Sequence, residues 1–295
     1  KDYFSGYIEE AAKRLETEPE ALLQRLTGYY DGYCFEKSAT VKVMNPWSIM
    51  SFLIYPKRGF KDHWFQTGGQ PSVLKDLFRS GALKDPKNFA AVKTIPFSQL
   101  GGPAIGENFS EVDLLTQTGY LTFKSVDGNI AIVDYSTEEV RHAMAGMYLH
   151  QLLGKTIEQA GVMDFAIRLV KDNPETLVRI FNRLLKSVDY EAYSIEDAKS
   201  VLAVIQVAMI NVRLSPVIKV MQKGESVLEV QAGERTIVLT LEYCHPDQEA
   251  EQLLQVAVSQ LDKPFSGKLG GSMEILKLVL VFSESDRRIT VWSVA

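Results

Sequence analysis

The chain has 295 residues with 32 basic and 37 acidic side chains, which give it a formal net charge of −5. Hydrophobic residues make up 46% and charged residues 23%, a composition that argues against disordered, collagen-like and coiled-coil proteins. No apolar run approaches the roughly 18–20 residues of a membrane span, so no membrane partner is expected. Cys34 and Cys244 form no zinc-binding pattern, which favours reduced cysteines in a cytoplasmic protein.

Apolar residues at helical spacing predict helices in the first half of the chain, over 6–16, 17–28, 45–53, 71–80 and 110–118, and from about 137. The third helix is expected to begin at Asn45-Pro46, because Asn is a favoured N-cap and Pro fits the first turn. Residues 84–108 predict an irregular connection. Asp127-Gly128 lies between strand-like runs at 120–124 and 130–134 and predicts a hairpin. Helix, hairpin and helix in this order predict a winged-helix-like unit.

The second half changes from helices to strands. Residues 155–213 are predicted to be mainly helical, with a break near Asn173-Pro174. Beyond residue 215, a helix over 247–261 lies among five predicted strands, at 217–221, 227–231, 236–243, 275–282 and 289–294. The predicted fold class is therefore mixed α+β and α/β, with one domain over 1–154 and a second, α/β domain over 155–295.

Several short motifs occur along the chain in a fixed order: Tyr30-Asp31-Gly32-Tyr33, Asn45-Pro46 with Ser48, Trp64-Phe65-x-Thr67-Gly68, Gly119-Tyr120-Leu121-Thr122 and Glu138-Glu139-Val140-Arg141. Later landmarks are Gln255, Phe265 and Arg287-Arg288-Ile289-x-x-Trp292. Together they resemble the bacterial predicted AAA-ATPase-like proteins, in which an ATPase-like module precedes a PD-(D/E)XK nuclease-superfamily domain. The resemblance implies that 1–154 is the helical, winged-helix-like end of the ATPase-like module and 155–295 a restriction-endonuclease-like domain.

The resemblance also implies an ATP-binding core ahead of residue 1, so the chain is expected to begin inside a longer protein. Residues 101–108 have the glycine spacing of a phosphate-binding loop. However, Glu107 and Asn108 stand where such a loop needs Lys and then Ser or Thr. We therefore expect this chain to bind no cofactor and to hydrolyse no ATP.

The nuclease chemistry that the resemblance implies uses an acid on one strand and Glu-x-Lys on the next, which hold Mg²⁺ and activate water. Aligned with that motif, Val227 replaces the aspartate, Glu242 keeps the carboxylate, and Cys244 replaces the lysine. Gln255 survives on the following helix. The leading hypothesis is a degenerate nuclease site in a non-catalytic regulatory or interaction module, partnered by another protein or by the missing ATPase domain.

Two alternatives remain open at this point. Strand alternation puts Glu229 on the face of Val227, so Glu229, Glu242 and Gln255 could form a reduced nuclease site that binds Mg²⁺ through Glu242. The second alternative is nucleic-acid binding without cleavage. Its candidates, at i, i+4 and i+7 on one helix face, are Arg179, Arg183 and Lys186.

Other reactive residues favour structural roles. The four histidines lack metal-ligand spacing and are His63, His142, His150 and His245. Cys244 and His245 are adjacent on a predicted strand and should point to opposite faces, which disfavours a nucleophile–base pair. The aromatic group of Tyr29, Tyr30, Tyr33 and Phe35 is expected to pack rather than to stack on bases.

Overall fold

The computed structural model describes residues 4–36, 38–66, 74, 85–97, 110–154, 164–220, 226–261 and 274–295. Its architecture is mixed α and β and divides into two compact units, Lys1–Ala82 with Ala91–Met144, and Leu83–Ala90 with Ala145–Ala295. This division differs from the predicted one after residue 154, because it falls inside a helix whose periodicity marks no boundary. Among the described residues, no helix has both the length and the apolar character needed to cross a membrane.

The helical part of the first unit is held by one apolar core. Its helices are α1 (Ser5–Arg14), α2 (Pro19–Tyr30), α3 (Pro46–Ile54) and α4 (His63–Gln66). The core includes Ile8, Leu22, Leu26, Tyr30, Ile49 and Phe52. The predicted end of α2 at Gly28 is wrong, since the helix continues to the fully buried Tyr30. The predicted start of α3 is confirmed, because the Asn45 side chain accepts a hydrogen bond from the Trp47 N–H at 2.9 Å.

The β part of the first unit contains the predicted hairpin. Its elements are β1 (Asp31–Tyr33), β2 (Val43–Met44), β3 (Lys93–Pro96), α5 (Glu111–Gln117), β4 (Leu121–Asp127), β5 (Ile130–Tyr135) and the start of α6 (Glu138–Leu153), which belongs to the second unit from Ala145 onward. Gly128 takes the left-handed conformation at the hairpin turn, with φ +57°. Strands β3, β5 and β4 form an antiparallel sheet in that order, whereas β1 pairs with β2. The predicted irregular connection over 84–108 missed β3, and the predicted helix over 71–80 lies outside the described residues apart from Leu74.

The second unit is built on a five-stranded sheet. Its elements are α7 (Phe165–Lys171), α8 (Pro174–Leu185), α9 (Ala198–Asn211), β6 (Val217–Val220), β7 (Ser226–Ala232), β8 (Arg235–Cys244), α10 (Ala250–Leu261), β9 (Glu274–Ser283) and β10 (Arg288–Val294). The strand order is β10-β9-β8-β7-β6. Neighbouring strands are antiparallel except for β8 and β9, which are parallel. The five predicted strands and the helix break before Pro174 are thus confirmed.

Helices cover the sheet of the second unit. Residues 236–241 of β8 are all buried, so both faces of this central strand are shielded from solvent. Helix α9 contacts β6, β7 and β8, and α10 contacts β8, β9 and β10. Every residue of α9 from Ser200 to Ile210 is buried, which explains why its sequence is apolar on all sides.

One side chain completes the backbone hydrogen bonding of the edge strand β10. The pairing of β10 with β9 shifts between Ile289 and Val291. There the Asn182 side chain donates to the Ile289 carbonyl at 2.9 Å and accepts from the Ile289 N–H at 2.6 Å. Asn182 on α8 therefore supplies hydrogen-bond partners for backbone groups that the irregular pairing of β10 with β9 would leave unsatisfied.

Replacing Asn182 with alanine is expected to lower the free energy of unfolding by about 2 kcal/mol, because two backbone groups lose their partners. Urea denaturation followed by circular dichroism measures this change. Arg179→Ala, on the exposed side of the same helix, serves as the control and should change stability by no more than about 0.5 kcal/mol. Equal stability of the two variants would contradict the assigned role of Asn182.

Candidate functional site

The three positions of the implied nuclease motif lie on one face of the second unit's sheet. Val227 on β7 is paired directly opposite Thr240 on β8. Glu242 lies two residues beyond Thr240, so it is the diagonal neighbour of Val227 at roughly 7–8 Å. Cys244 follows two residues later on the same face. The alignment made from sequence therefore corresponds to a compact group of positions in space.

The residues at these positions do not fit Mg²⁺. Val227 is 2% exposed and Cys244 is 6% exposed, and neither offers an oxygen ligand. Glu242 is half-buried and is the one carboxylate among the three. Mg²⁺ requires near-octahedral coordination by oxygen atoms, usually from one or two carboxylates and waters. In the described parts of the chain, no three His, Cys, Asp or Glu side chains are grouped so as to hold a metal ion.

Glu229 does share the face of Glu242, but the strand register keeps the two carboxylates apart. Glu229 is paired opposite Val238, which lies four residues before Glu242 on β8. That separation is about 13 Å along the strand, too far for both to bind one metal ion. The Glu229 carboxylate instead lies 2.5 Å from the Lys219 ammonium group on β6. The structure thus does not bring the two acids of the reduced metal site together.

Gln255 is not brought to this group either. It is exposed on α10, whereas Ala257, two residues further on, is buried. Two residues correspond to about 200° around a helix axis, so Gln255 lies on the side away from the buried Ala257. The three side chains of the reduced site, Glu229, Glu242 and Gln255, therefore do not come together.

Cys244 and His245 have separate surroundings, as their adjacency predicted. The Cys244 thiol lies 3.4 Å from the Gln248 carbonyl oxygen, to which it donates, and burial raises the pKa of this thiol. The His245 Nδ1 atom lies 2.9 Å from a carboxylate oxygen of Glu284. A buried thiol with a raised pKa is a poor nucleophile, so this pair offers no covalent chemistry.

The basic stripe on α8 is exposed, as predicted. Arg179, Arg183 and Lys186 all lie on the solvent side of the helix. The Arg179 guanidinium lies 3.9 Å from the Glu175 carboxylate one turn earlier, in an exposed pair. Binding of nucleic acid through these side chains stays a prediction.

No family model matches this chain, and no curated protein matches it. Its site must therefore be judged on geometry and chemistry alone, and the likeness to the AAA-ATPase-like proteins stays a prediction.

A second polar group, in the first unit, is centred on a fully buried carboxylate. Glu139 stands at the start of α6 and is inaccessible to solvent. The Ser48 hydroxyl of α3 donates to it at 2.8 Å, and the Trp64 backbone N–H of α4 donates at 2.9 Å. Burial raises the pKa of Glu139 to about 7, although both donors lower it. Three helices therefore meet at one titratable group.

A neighbouring carboxylate, Asp62, links α2 to α6 in the first unit. The Tyr29 hydroxyl of α2 donates to Asp62 at 2.8 Å. The Nδ1 atom of His142, on α6, lies 2.8 Å from the other oxygen of Asp62. The negative charge of Asp62 also contributes to the raised pKa of Glu139. His142 therefore joins α6 to α2 through Asp62, and the structural role expected of it stays a prediction.

Sequence reasoning named Ser48, Trp64 and Glu139 as landmarks of a resemblance but assigned them no role. Ser48 and Glu139 are 91 positions apart, so no local pattern could pair them. A glutamate in the first turn of a helix is favourable at the surface through the helix dipole, which gives no sign of burial. The order of the motifs along the chain was the one signal that pointed to this group, because Ser48, Trp64 and Glu139 belong to three of those motifs and meet at the Glu139 carboxylate.

Proposed function

We propose that the second unit has a degenerate PD-(D/E)XK nuclease-like fold and that the chain acts as a non-catalytic interaction or regulatory module. The order of α9, three antiparallel strands, α10 and a parallel strand supports this fold. The observation that carries the proposal is the common face of Val227, Glu242 and Cys244. Val227 and Cys244 are buried, and they lack the carboxylate oxygen and the amine that nuclease chemistry needs at these positions.

For the first unit we propose a winged-helix-like arrangement of α5, the β4–β5 hairpin and α6. Strand β3, which pairs with β5, supplies a third strand beside the hairpin. Such a unit commonly presents a helix or a hairpin to another macromolecule. This supports an interaction role for the chain.

The absence of nuclease activity is tested with labelled DNA and RNA in the presence of Mg²⁺ or Mn²⁺. We expect the chain and its Glu242→Ala variant to give the same background, because a single carboxylate holds the metal poorly. Metal-dependent cleavage that disappears in Glu242→Ala would overturn the proposal of a non-catalytic module and favour a divergent nuclease.

The nuclease-like fold is tested by rebuilding the motif. Val227→Asp combined with Cys244→Lys places an acid and an amine beside Glu242, and the variant is expected to gain Mn²⁺ binding that depends on Glu242. The matched control is Val230→Asp, which adds an acid at an equally buried position of β7 but on the opposite face of the sheet. Isothermal titration measures binding, and circular dichroism verifies folding.

Because buried charges destabilise proteins, Val227→Asp alone is tested in parallel. A folded variant of either kind that binds Mn²⁺ no better than Val230→Asp would count against the nuclease-like assignment.

A further inference from the structure

Helix α3 has a second apolar side, opposite the one that enters the core. Ser48, Ile49, Phe52 and Leu53 are buried. Trp47, Met50 and Ile54, at i, i+3 and i+7, are 52%, 43% and 58% exposed. A surface helix normally carries polar residues on its outer side. Trp47, Met50 and Ile54, together with the exposed Tyr55 that follows, are named here the α3 surface.

The charged side chains of the chain segment that carries the α3 surface are of one sign. Residues 38–61 contain no Asp or Glu, although the whole chain has a net charge of −5. Their four cationic side chains are all exposed: Lys42, Lys57, Arg58 and Lys61. The Arg58 guanidinium lies over the Tyr55 ring at 4.2 Å from its centroid, so a cation directly borders the apolar side chains.

The residue types of the α3 surface are those of protein–protein contacts. Trp, Tyr, Met and Arg are enriched in the cores of such interfaces, and Trp, Tyr and Arg contribute most of the binding energy. The i, i+3, i+7 spacing of these apolar side chains is that of a coiled-coil seam, which packs along another helix.

The charge and the shape of the α3 surface favour some binding partners over others. A second copy of this chain bound through the same surface would bring the two cationic segments together, each with Arg58 beside its apolar side chains, which opposes association. A single-stranded nucleic acid would leave Met50 and Ile54 without a role, because bases stack on aromatic rings. A partner with an apolar face and acidic flanks would cover the apolar side chains of the α3 surface and pair with the cations of the same segment.

We propose that the α3 surface binds an amphipathic helix of a protein partner, whose apolar face covers Trp47, Met50 and Ile54 and whose flanking side chains are acidic. This inference deepens the interaction role proposed above and rests on it. It concerns the first unit, whereas the metal and cleavage experiments report on the second, so the two can fail separately.

The test uses two fluorescent model peptides of three heptads each. One has Leu at the two core positions of every heptad, Glu at the flanking positions and Ala elsewhere, and its twin has Lys in place of Glu. Fluorescence anisotropy at low salt is expected to give at least about tenfold tighter binding of the Glu peptide. Added salt should weaken this binding.

Variants locate the binding on α3. Trp47→Ala is expected to weaken binding of the Glu peptide by about tenfold or more, the effect of losing a central aromatic residue. The matched control is Ile167→Ala, which removes a 62% exposed apolar side chain from α7 in the second unit and should leave binding unchanged. Circular dichroism verifies that both variants are folded.

Three outcomes overturn the inference: no binding of the Glu peptide, equal binding of both peptides, or equal binding by Trp47→Ala and the unaltered chain. Vesicles of phosphatidylcholine, with and without phosphatidylglycerol, test a lipid surface as the occupant. Sedimentation with the anionic vesicles that depends on Trp47, while neither peptide binds, would assign the α3 surface to lipid and reject the protein helix.

Discussion

Replacing Gly32 with alanine is expected to lower the free energy of unfolding of the first unit by about 4 kcal/mol or more. Gly32 on β1 has φ +147°, which residues with a side chain rarely adopt. A Cβ atom built there would lie 2.0 Å from the backbone carbonyl oxygen of Ser136. Because that oxygen belongs to the main chain, it cannot rotate away, and β1 or the start of α6 must move.

Gly28→Ala provides a matched control on the preceding helix. Gly28 lies inside α2, and an added Cβ meets no atom within 4 Å. Alanine there is expected to be neutral or to stabilise the helix by about 0.5–1 kcal/mol, because glycine lowers helix propensity. Urea denaturation of both variants measures the difference. If Gly32→Ala proved as stable as Gly28→Ala, β1 and Ser136 could not be as close as described.

Raising the pH from 4.5 to 8 is expected to destabilise the first unit through Glu139. The pKa of this carboxyl is raised from an ordinary 4.5 to about 7 in the folded protein, mainly by burial. Between these values the folded state binds more protons than the unfolded state, so the free energy of unfolding falls as pH rises. The full cost is present above the folded pKa and amounts to about 3 kcal/mol.

Glu139→Gln is expected to remove this pH dependence, because the amide keeps the shape and does not titrate. It should be more stable than the unaltered chain at pH 8 by up to about 3 kcal/mol, and about equally stable near pH 4. Chemical denaturation across this pH range measures both curves.

Ser48→Ala provides a second test of the same carboxylate. It removes the hydroxyl that donates to Glu139, so it should lower stability more at pH 8 than at pH 4. If the free energies of unfolding of Glu139→Gln and of the unaltered chain changed with pH in the same way, Glu139 would not titrate in this range.

Local patterns were sufficient to predict most elements of the second unit. Runs of apolar residues marked its strands, and Asn173-Pro174 marked the break between α7 and α8. In the first unit, β3 was missed because four residues containing a Pro carry too little alternation to be distinguished from a loop. Gly28 was taken as a helix end, although burial of Tyr30 outweighs the low helix propensity of glycine.

The candidate sites were predictable only in part, for one physical reason. Alternation within a strand correctly placed Val227 and Glu229 on one face. It could not reveal that Glu229 lies opposite Val238 and far from Glu242, since register depends on pairing between strands. The hydrogen bond between Ser48 and Glu139 likewise joins residues far apart in the sequence, so no local pattern could reveal it.

The parallel pairing of β8 with β9 imposes an order on the assembly of the second unit. Strands β6, β7 and β8 follow each other closely in sequence and pair as an antiparallel meander. By contrast, Arg235 pairs with Glu274 across a long stretch of sequence that includes α10. Bringing such distant residues together costs chain entropy before the contacts between them can form. We therefore expect the meander to form early and β9 to dock late, so the apolar edge of β8 is exposed to aggregation until folding is nearly complete.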